Sequence, residues 1–296
     1  MFNRSCRSLI VILGLFLVAV TGCKALFANE DVEEIMPVSD IAVDEIDIQP
    51  SDTGSLPVNV GFFLNIRKKG QSLNEANLLN LEQTAKQLIS DAVNTTNAVL
   101  AQCNLHLHIE VAQLMVMPNR LMQIDGNLRG DWGGHPPGDV GDPRLFNYQE
   151  NRRLTSETRE LFEYGKQFAS ANAISIFSIG EIVYHINQTR HAARGLSFPP
   201  NSYHHPEDYP ARNSVLVAEL DAWHDFSDTT NLLHTPFWVV AHEIGHMLLN
   251  NSLHEDGANL MGSGTNLTQA QCERMRENRE RLFGEEPVID PGMPES

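Results

Sequence analysis

Two histidines and a glutamate near the end of the chain have the residue types and spacing of a metal centre. The stretch VVAHEIGHMLLNNSLHEDGANLMGSG, residues 239–264, holds His242 and His246 four positions apart, with Glu243 between them. On a helix this spacing places both imidazoles on one face, one turn apart, so that they can bind one ion. Glu243 lies one residue round the helix, where its carboxylate can reach a water on that ion. The pattern predicts a metal centre with an adjacent base.

A third ligand is expected downstream, because a zinc ion with an open position for chemistry takes three protein ligands. Asn250 and Asn251 are suited to leave a helix in the left-handed conformation and turn the chain back. That turn would bring His254 to the ion, and a third neutral imidazole fits a three-histidine ligand set. We predict His254 as the third ligand, with Asp256 as the alternative.

An apolar helix is predicted to carry the histidine pair. Thr235 is suited to the N-cap and Pro236 to the first helical position. The run FWVVAHEIGHMLL that follows is apolar except at the motif. Polar side chains in such a helix are costly without partners, and a bound metal would remove that cost. The context therefore favours metal binding over chance spacing.

These residues resemble the metzincin metallopeptidases, whose signature is H-E-x-x-H-x-x-G-x-x-H followed by a methionine-containing turn. The sequence NLMG resembles that turn, with Met261 beneath the site, and LTQAQCERM resembles the start of the family's C-terminal helix. The resemblance covers residues 214–283. Leu249 stands where the family has glycine, and His254 comes two residues late, as after a two-residue insertion in the turn.

The resemblance implies an α+β fold: a metzincin-like catalytic domain with a twisted mixed sheet, an active-site helix, a Met-turn and a C-terminal helix. It implies a zinc-dependent endopeptidase, a hydrolase of protein peptide bonds. Zinc on His242, His246 and His254 would activate a water, with Glu243 as general base. The alternative is a catalytically inactive, zinc-stabilised surface binding or adhesion module. Glu243 argues against that alternative, since zinc binding alone does not require it.

The family also binds its substrate as an extended strand against an edge strand above the active-site helix. The resemblance places that rim at Gly195, Leu196 and Ser197.

Another H-E-x-x-H class takes a glutamate about twenty residues beyond the second histidine. Here that position holds GTN, and the next glutamate is Glu273, so this class fits poorly and is the second choice, with the same chemistry.

The spacing of hydrophobic residues predicts the strands and helices around the motif. Alternating or continuous apolar runs predict strands, helical spacing of apolar residues predicts helices, and one stretch rich in Pro and His predicts a long loop. The predicted strands are residues 58–66, 105–117, 173–183 and 214–220, the helices 72–103, 156–171 and 268–284, and the loop 185–213. His106 and His108 fall on one face of their strand, where a solvated polar face is favoured over a metal site.

The start of the chain resembles a bacterial lipoprotein leader. Arg4 and Arg7 precede a 12-residue apolar run, too short to span a bilayer comfortably. The run ends in VTGC, which resembles a lipobox with lipid attached to Cys23. Residues 1–22 are then a signal peptide, and Lys24 favours the outer membrane of the bacterial cell envelope. The alternatives are an ordinary signal peptide or a short anchor.

The rest of the chain divides into three regions. Residues 23–56 are acidic, and from residue 25 onward they contain no Lys or Arg. We predict a flexible tether, with a removable pro-segment as the alternative. Residues 57–284 form the predicted zinc metallopeptidase domain, and residues 285–296 a disordered tail.

Two of the four cysteines are available to form a disulfide. With Cys6 in the leader and Cys23 lipidated, Cys103 and Cys272 remain, either as a disulfide or as two buried thiols.

The formal net charge of −17 repels phosphate backbones, which excludes nucleic acid as an expected partner. The expected partners are a protein or peptide substrate and, through the lipid, a membrane. The oligomeric state stays open.

Overall fold

The computed structural model describes eleven strands and four helices. The described residues are 32–52, 54–66, 75–125, 146–147, 153–154, 156–186, 189–200, 210–218, 236–251, 254, 257–262 and 264–283. The helices are α1 (Glu75–Leu100), α2 (Ser156–Lys166), α3 (Pro236–Leu249) and α4 (Gln269–Phe283). The strands are β1 (Met36–Asp40), β2 (Leu56–Asn65), β3 (Leu105–Val116), β4 (Gln123–Asp125), β5 (Phe146–Asn147), β6 (Arg153–Leu154), β7 (Ile174–Ile179), β8 (Glu181–Ile186), β9 (Thr189–Ala193), β10 (Gly195–Phe198) and β11 (Ser214–Ala218).

A six-stranded mixed sheet organises these elements in the order β1-β3-β2-β7-β11-β10. The four inner strands are parallel, while β1 and β10 at the two ends run antiparallel to their neighbours. Inner parallel strands have both faces covered and so are largely apolar. All six residues of β7 are buried. The predicted α+β class with a mixed sheet is confirmed.

Successive side chains of the inner strands belong to two separate hydrophobic cores, because side chains along a strand point alternately to the two faces of the sheet. On β2, Phe62 faces the core built with α1, α3 and α4, whereas Phe63 faces the core built with α2. Phe63 stacks on Phe177 with ring centroids 5.0 Å apart. Helix α3 packs between α1, α4 and β10, so the motif sits on the first of these cores.

Two predicted segments have a different course. The strand expected over residues 173–183 breaks at Gly180, and β8 joins β4 and β9 in a second sheet. A Cβ at Gly180 would lie 2.5 Å from the Met122 carbonyl oxygen, which accepts a hydrogen bond from the Glu181 amide. The backbone approach that glycine allows therefore separates the two strands. The loop expected over residues 185–213 is wrong in part, because it contains β9 and β10.

The acidic N-terminal arm, residues 36–49, is part of the domain. Its strand β1 pairs with β3, with an irregularity in register between Pro37 and Ser39. Ile41 and Ile46 are only 4% and 6% exposed. The tether predicted over residues 23–56 is therefore wrong for this arm, since isoleucines among the acidic residues supply enough apolar surface to dock.

Side-chain hydrogen bonds fix the same arm to α1. The Ser90 hydroxyl and the Asn94 amide both donate to the Asp47 carbonyl oxygen. The Gln49 amide in turn donates to the Asn94 side chain at 2.9 Å. These bonds satisfy arm backbone groups that a free tether would leave to water.

The sulfur atoms of Cys103 and Cys272 form a disulfide, one of the two alternatives that the sequence left open. It joins the chain just after α1 to α4, across 169 residues of sequence. Within the described part of the chain, no helix has both the length and the apolar character needed to cross a membrane. The leader, Cys23 and residues 285–296 lie outside the described residues.

Candidate metal centre

Helix α3 begins at Pro236 and ends at Leu249, as its sequence predicts. It stops because Asn250 turns into the left-handed region, with φ of +53°. The Asn251 amide then donates to the His246 carbonyl oxygen at 3.2 Å. The chain thereby folds back toward the helix face that carries the two histidines. Thr235, the expected N-cap, lies outside the described residues.

Three imidazoles meet at this fold-back. Nε2 of His242 lies 3.1 Å from Nε2 of His246 and 3.1 Å from Nε2 of His254. His242 and His246 are buried, while His254 is exposed at the surface. Among the described residues, these three form the one group of histidine, cysteine or carboxylate side chains able to hold a metal ion. Asp256, the alternative ligand, lies outside the described residues.

Two carbonyl oxygens fix the tautomers of the buried pair. Nδ1–H of His242 donates to the Leu260 carbonyl oxygen at 2.6 Å, and Nδ1–H of His246 donates to that of Asn251 at 3.0 Å. Each Nε2 is therefore an unprotonated acceptor, and the two lone pairs face each other. A cation between them would remove this repulsion. Tetrahedral zinc–imidazole geometry implies nitrogen separations of about 3.3 Å, so the residues fit the ion.

Burial keeps the two imidazoles neutral. It lowers the pKa of His242 to about 4 and that of His246 to about 3, despite the opposing effect of the carbonyl hydrogen bonds. At neutral pH both rings are therefore in the uncharged form that binds metals. The two carbonyl partners were not predicted from the sequence, since no side chain marks them.

The Glu243 carboxylate is buried where α3 packs against β10. Burial raises the pKa of Glu243 to about 7, and a hydrogen bond with Ser197 opposes that rise. A Cβ added at Gly195 would lie only 2.5 Å from Oε1 of Glu243. Gly195 and Ser197, predicted as part of a substrate rim with Leu196, thus present one face of β10 to the carboxylate. The prediction that this strand contacts substrate is untested.

Met261, predicted as the residue of a Met-turn, packs against α3. Its side chain is fully buried, and a Cβ at Gly245 would meet its Cε at 2.5 Å. Glycine at position 245 therefore allows the turn to press against the helix. The same turn presents the Leu260 carbonyl oxygen to His242. Met261 contributes packing, and its neighbour contributes the orienting bond.

Trp238 borders the centre, a contact that the sequence analysis missed. Its ring centroid lies 4.7 Å from that of His242, and its Nε1–H donates to the Gly264 carbonyl oxygen at 2.8 Å. The sequence spacing indicates this contact, because Trp238 precedes His242 by four residues, one helical turn. The half-buried indole therefore shields one side of the His242 imidazole.

His106 and His108 take no part in this centre. His108 is exposed on β3, and Nδ1 of His106 lies 2.8 Å from the Ser55 hydroxyl. Burial lowers the pKa of His106. These positions agree with the polar strand face expected from their alternation.

No protein-family model matches the sequence. No curated protein matches it either. Among solved structures, one similar chain is a mutant of promirolysin from Tannerella forsythia, with 11% sequence identity and a TM-score of 0.34. The similarity covers 79% of this chain and 83% of that chain. A likeness of this size does not define a family, so the site must be interpreted from its own geometry.

Proposed function

We propose that the protein is a metzincin-like, zinc-dependent endopeptidase. One observation carries the proposal: nitrogens of three imidazoles, two of them on α3, converge, and the same helix carries the buried Glu243 carboxylate. When bound, zinc supplies a Lewis acid that polarises a carbonyl and lowers the pKa of water toward about 7. His242, His246 and His254 would hold it.

Glu243 is the residue that moves protons in this proposal. As general base it accepts a proton from the attacking water, and as general acid it returns one to the leaving amine. A base works best when its pKa lies near the working pH. Burial raises the pKa of Glu243 to about 7, which suits both transfers.

The exposure of His254 favours catalysis over a purely structural metal. Structural zinc sites are closed by four protein ligands, whereas catalytic sites keep one position open. Here the group of described ligands has three members, and one of them is at the surface. A buried carboxylate beside such a site is costly to maintain without a proton-transfer role.

Glu243→Ala tests the proposal in the full chain. We expect one zinc per chain by elemental analysis in both proteins, and cleavage of a quenched-fluorescent peptide library by the wild type alone. Loss of the base should reduce the rate by about 100- to 10,000-fold.

Full activity in Glu243→Ala would reject the assigned base. Zinc bound by a wild-type chain that cleaves no peptide would favour the inactive surface binding module. No zinc in either protein would leave the histidine cluster without its proposed ligand.

We also propose, from the leader alone, that lipid on Cys23 anchors the protein in the bacterial cell envelope, at the outer membrane. Protein or peptide substrates would then be met at that surface. These proposals rest on sequence outside the described residues.

A further inference from the structure

One face of β10 forms the wall against which the Glu243 carboxylate lies. Positions 195 and 197 share that face, because side chains alternate along a strand. The Ser197 hydroxyl donates a hydrogen bond to the carboxylate. Ser197 is itself 8% exposed and is fixed in the sheet by pairing of its strand with β11, opposite Val215.

Gly195 supplies the space for this approach. A Cβ there would lie 2.5 Å from Oε1 and 2.7 Å from Cγ of Glu243, and 2.7 Å from Val239 Cγ1. The backbone of Gly195 is not in the left-handed region, so conformation does not explain the glycine. The close approach of α3 explains it.

We propose that Ser197 is a positioning residue that holds the Glu243 carboxylate in place, and that Gly195 provides the gap this arrangement requires. The inference rests on the proposed peptidase function. A glutamate has three rotatable side-chain bonds, and a general base acts only within hydrogen-bond reach of its proton. The sheet fixes Ser197 and the helix fixes the Glu243 backbone, so their bond fixes the carboxylate between them.

Ser90 offers a matched control. It is 5% exposed, and its hydroxyl donates to the Asp47 carbonyl oxygen, between α1 and the N-terminal arm. Ser90→Ala therefore removes a buried serine hydrogen bond of similar kind, away from β10 and the histidine cluster. Any effect specific to Ser197 must exceed the effect of this variant.

The first experiment compares the zinc-loaded full chain with Ser197→Ala, Gly195→Ala and Ser90→Ala. We expect kcat to fall at least about tenfold in the first two variants, with KM changed less than about twofold, because only alignment in the transition state is lost. Ser90→Ala should keep the wild-type kcat. Zinc affinity, measured by chelator competition, should be unchanged in all three.

The second experiment measures the contact without activity, in metal-free protein. Ser197→Ala should lower the melting temperature by about 2–4 °C, and the drop should disappear in a Glu243→Ala background. Ser90→Ala should lower it equally in both backgrounds, since independent sites add.

Equal drops for Ser197→Ala in both backgrounds would overturn the contact. Coupling with an unchanged kcat would overturn the positioning role. A wild-type chain that binds zinc but cleaves nothing would reject the proposed function, and the role of Ser197 in it, whatever the melting data show.

Discussion

At the residue scale, His254 differs from the other two histidines of the cluster. His242 and His246 are held by α3 and by carbonyl oxygens, whereas the His254 side chain is exposed and lies beyond the end of the helix. The metal-binding role proposed for His254 can therefore be tested separately from the fold. An exposed side chain can be removed with little effect on packing.

We expect His254→Ala to weaken zinc binding at least about 100-fold, more than loss of an outer hydrogen-bond partner would. The measurement is a chelator-competition titration, with melting temperature checked in parallel. His108→Ala, another exposed histidine but on β3, is the control and should bind zinc like the wild type. Equal zinc affinity in His254→Ala would move the third ligand to Asp256 or elsewhere.

The sequence predicts this site only as far as local spacing reaches. The separation of His242 and His246 follows from helix geometry, and the asparagines after α3 indicate the turn that Asn250 makes. The carbonyl partners Leu260 and Asn251 could not be predicted, because they depend on where the turns lie in space. The contact of Ser197 with Glu243, across 46 positions of sequence, could not be predicted for the same reason.

At the element scale, the N-terminal arm shows where composition misled the prediction. Its many acidic residues indicate disorder, yet Ile41 and Ile46 are buried and the arm docks on β3 and α1. Strands β2 and β3 were predicted within two residues, because their apolar patterns are strong. The break between β7 and β8 was missed, because it depends on the approach of Met122 to Gly180.

Ile46→Ala measures how far the arm stabilises the domain. Ile46 is 6% exposed, so truncation should lower the free energy of unfolding by about 2–4 kcal/mol. Leu79→Ala is the matched control: Leu79 is 69% exposed on α1, and its loss should change stability by less than about 0.5 kcal/mol. Urea denaturation of the full chain gives both values. Equal, small effects would show that the arm adds nothing to the fold.

At the scale of the whole molecule, the disulfide connects distant parts of the chain. Cys103 follows α1 and Cys272 lies on α4, which packs on α3 through a 2.9 Å hydrogen bond from the Asn278 amide to the Leu248 carbonyl oxygen. The sequence predicts the α+β class but not this arrangement. Parallel pairing and strand order depend on long crossovers that local patterns do not specify.

Replacing both cysteines by serine should lower the free energy of unfolding by about 2–5 kcal/mol, because the bond restricts the unfolded chain. Urea denaturation with and without reductant makes the comparison. Reductant should destabilise the wild type to the level of the double variant and leave that variant unchanged. A wild type insensitive to reductant, once reduction is verified by thiol titration, would contradict this contribution.

The pairing of β1 with β3 also bears on aggregation, in which strands of other copies add to an open sheet edge. Strand β3 is twelve residues long and mostly buried, and β1, a strand of five residues, pairs with its outer edge over residues 113–116. A long apolar edge left open is a template for aggregation, while a short strand with proline and an irregular register discourages further pairing. Pro37 and the register shift beside it give β1 that character. We expect a chain that lost the acidic arm to expose residues 113–116 of this edge, where strands of other chains can add.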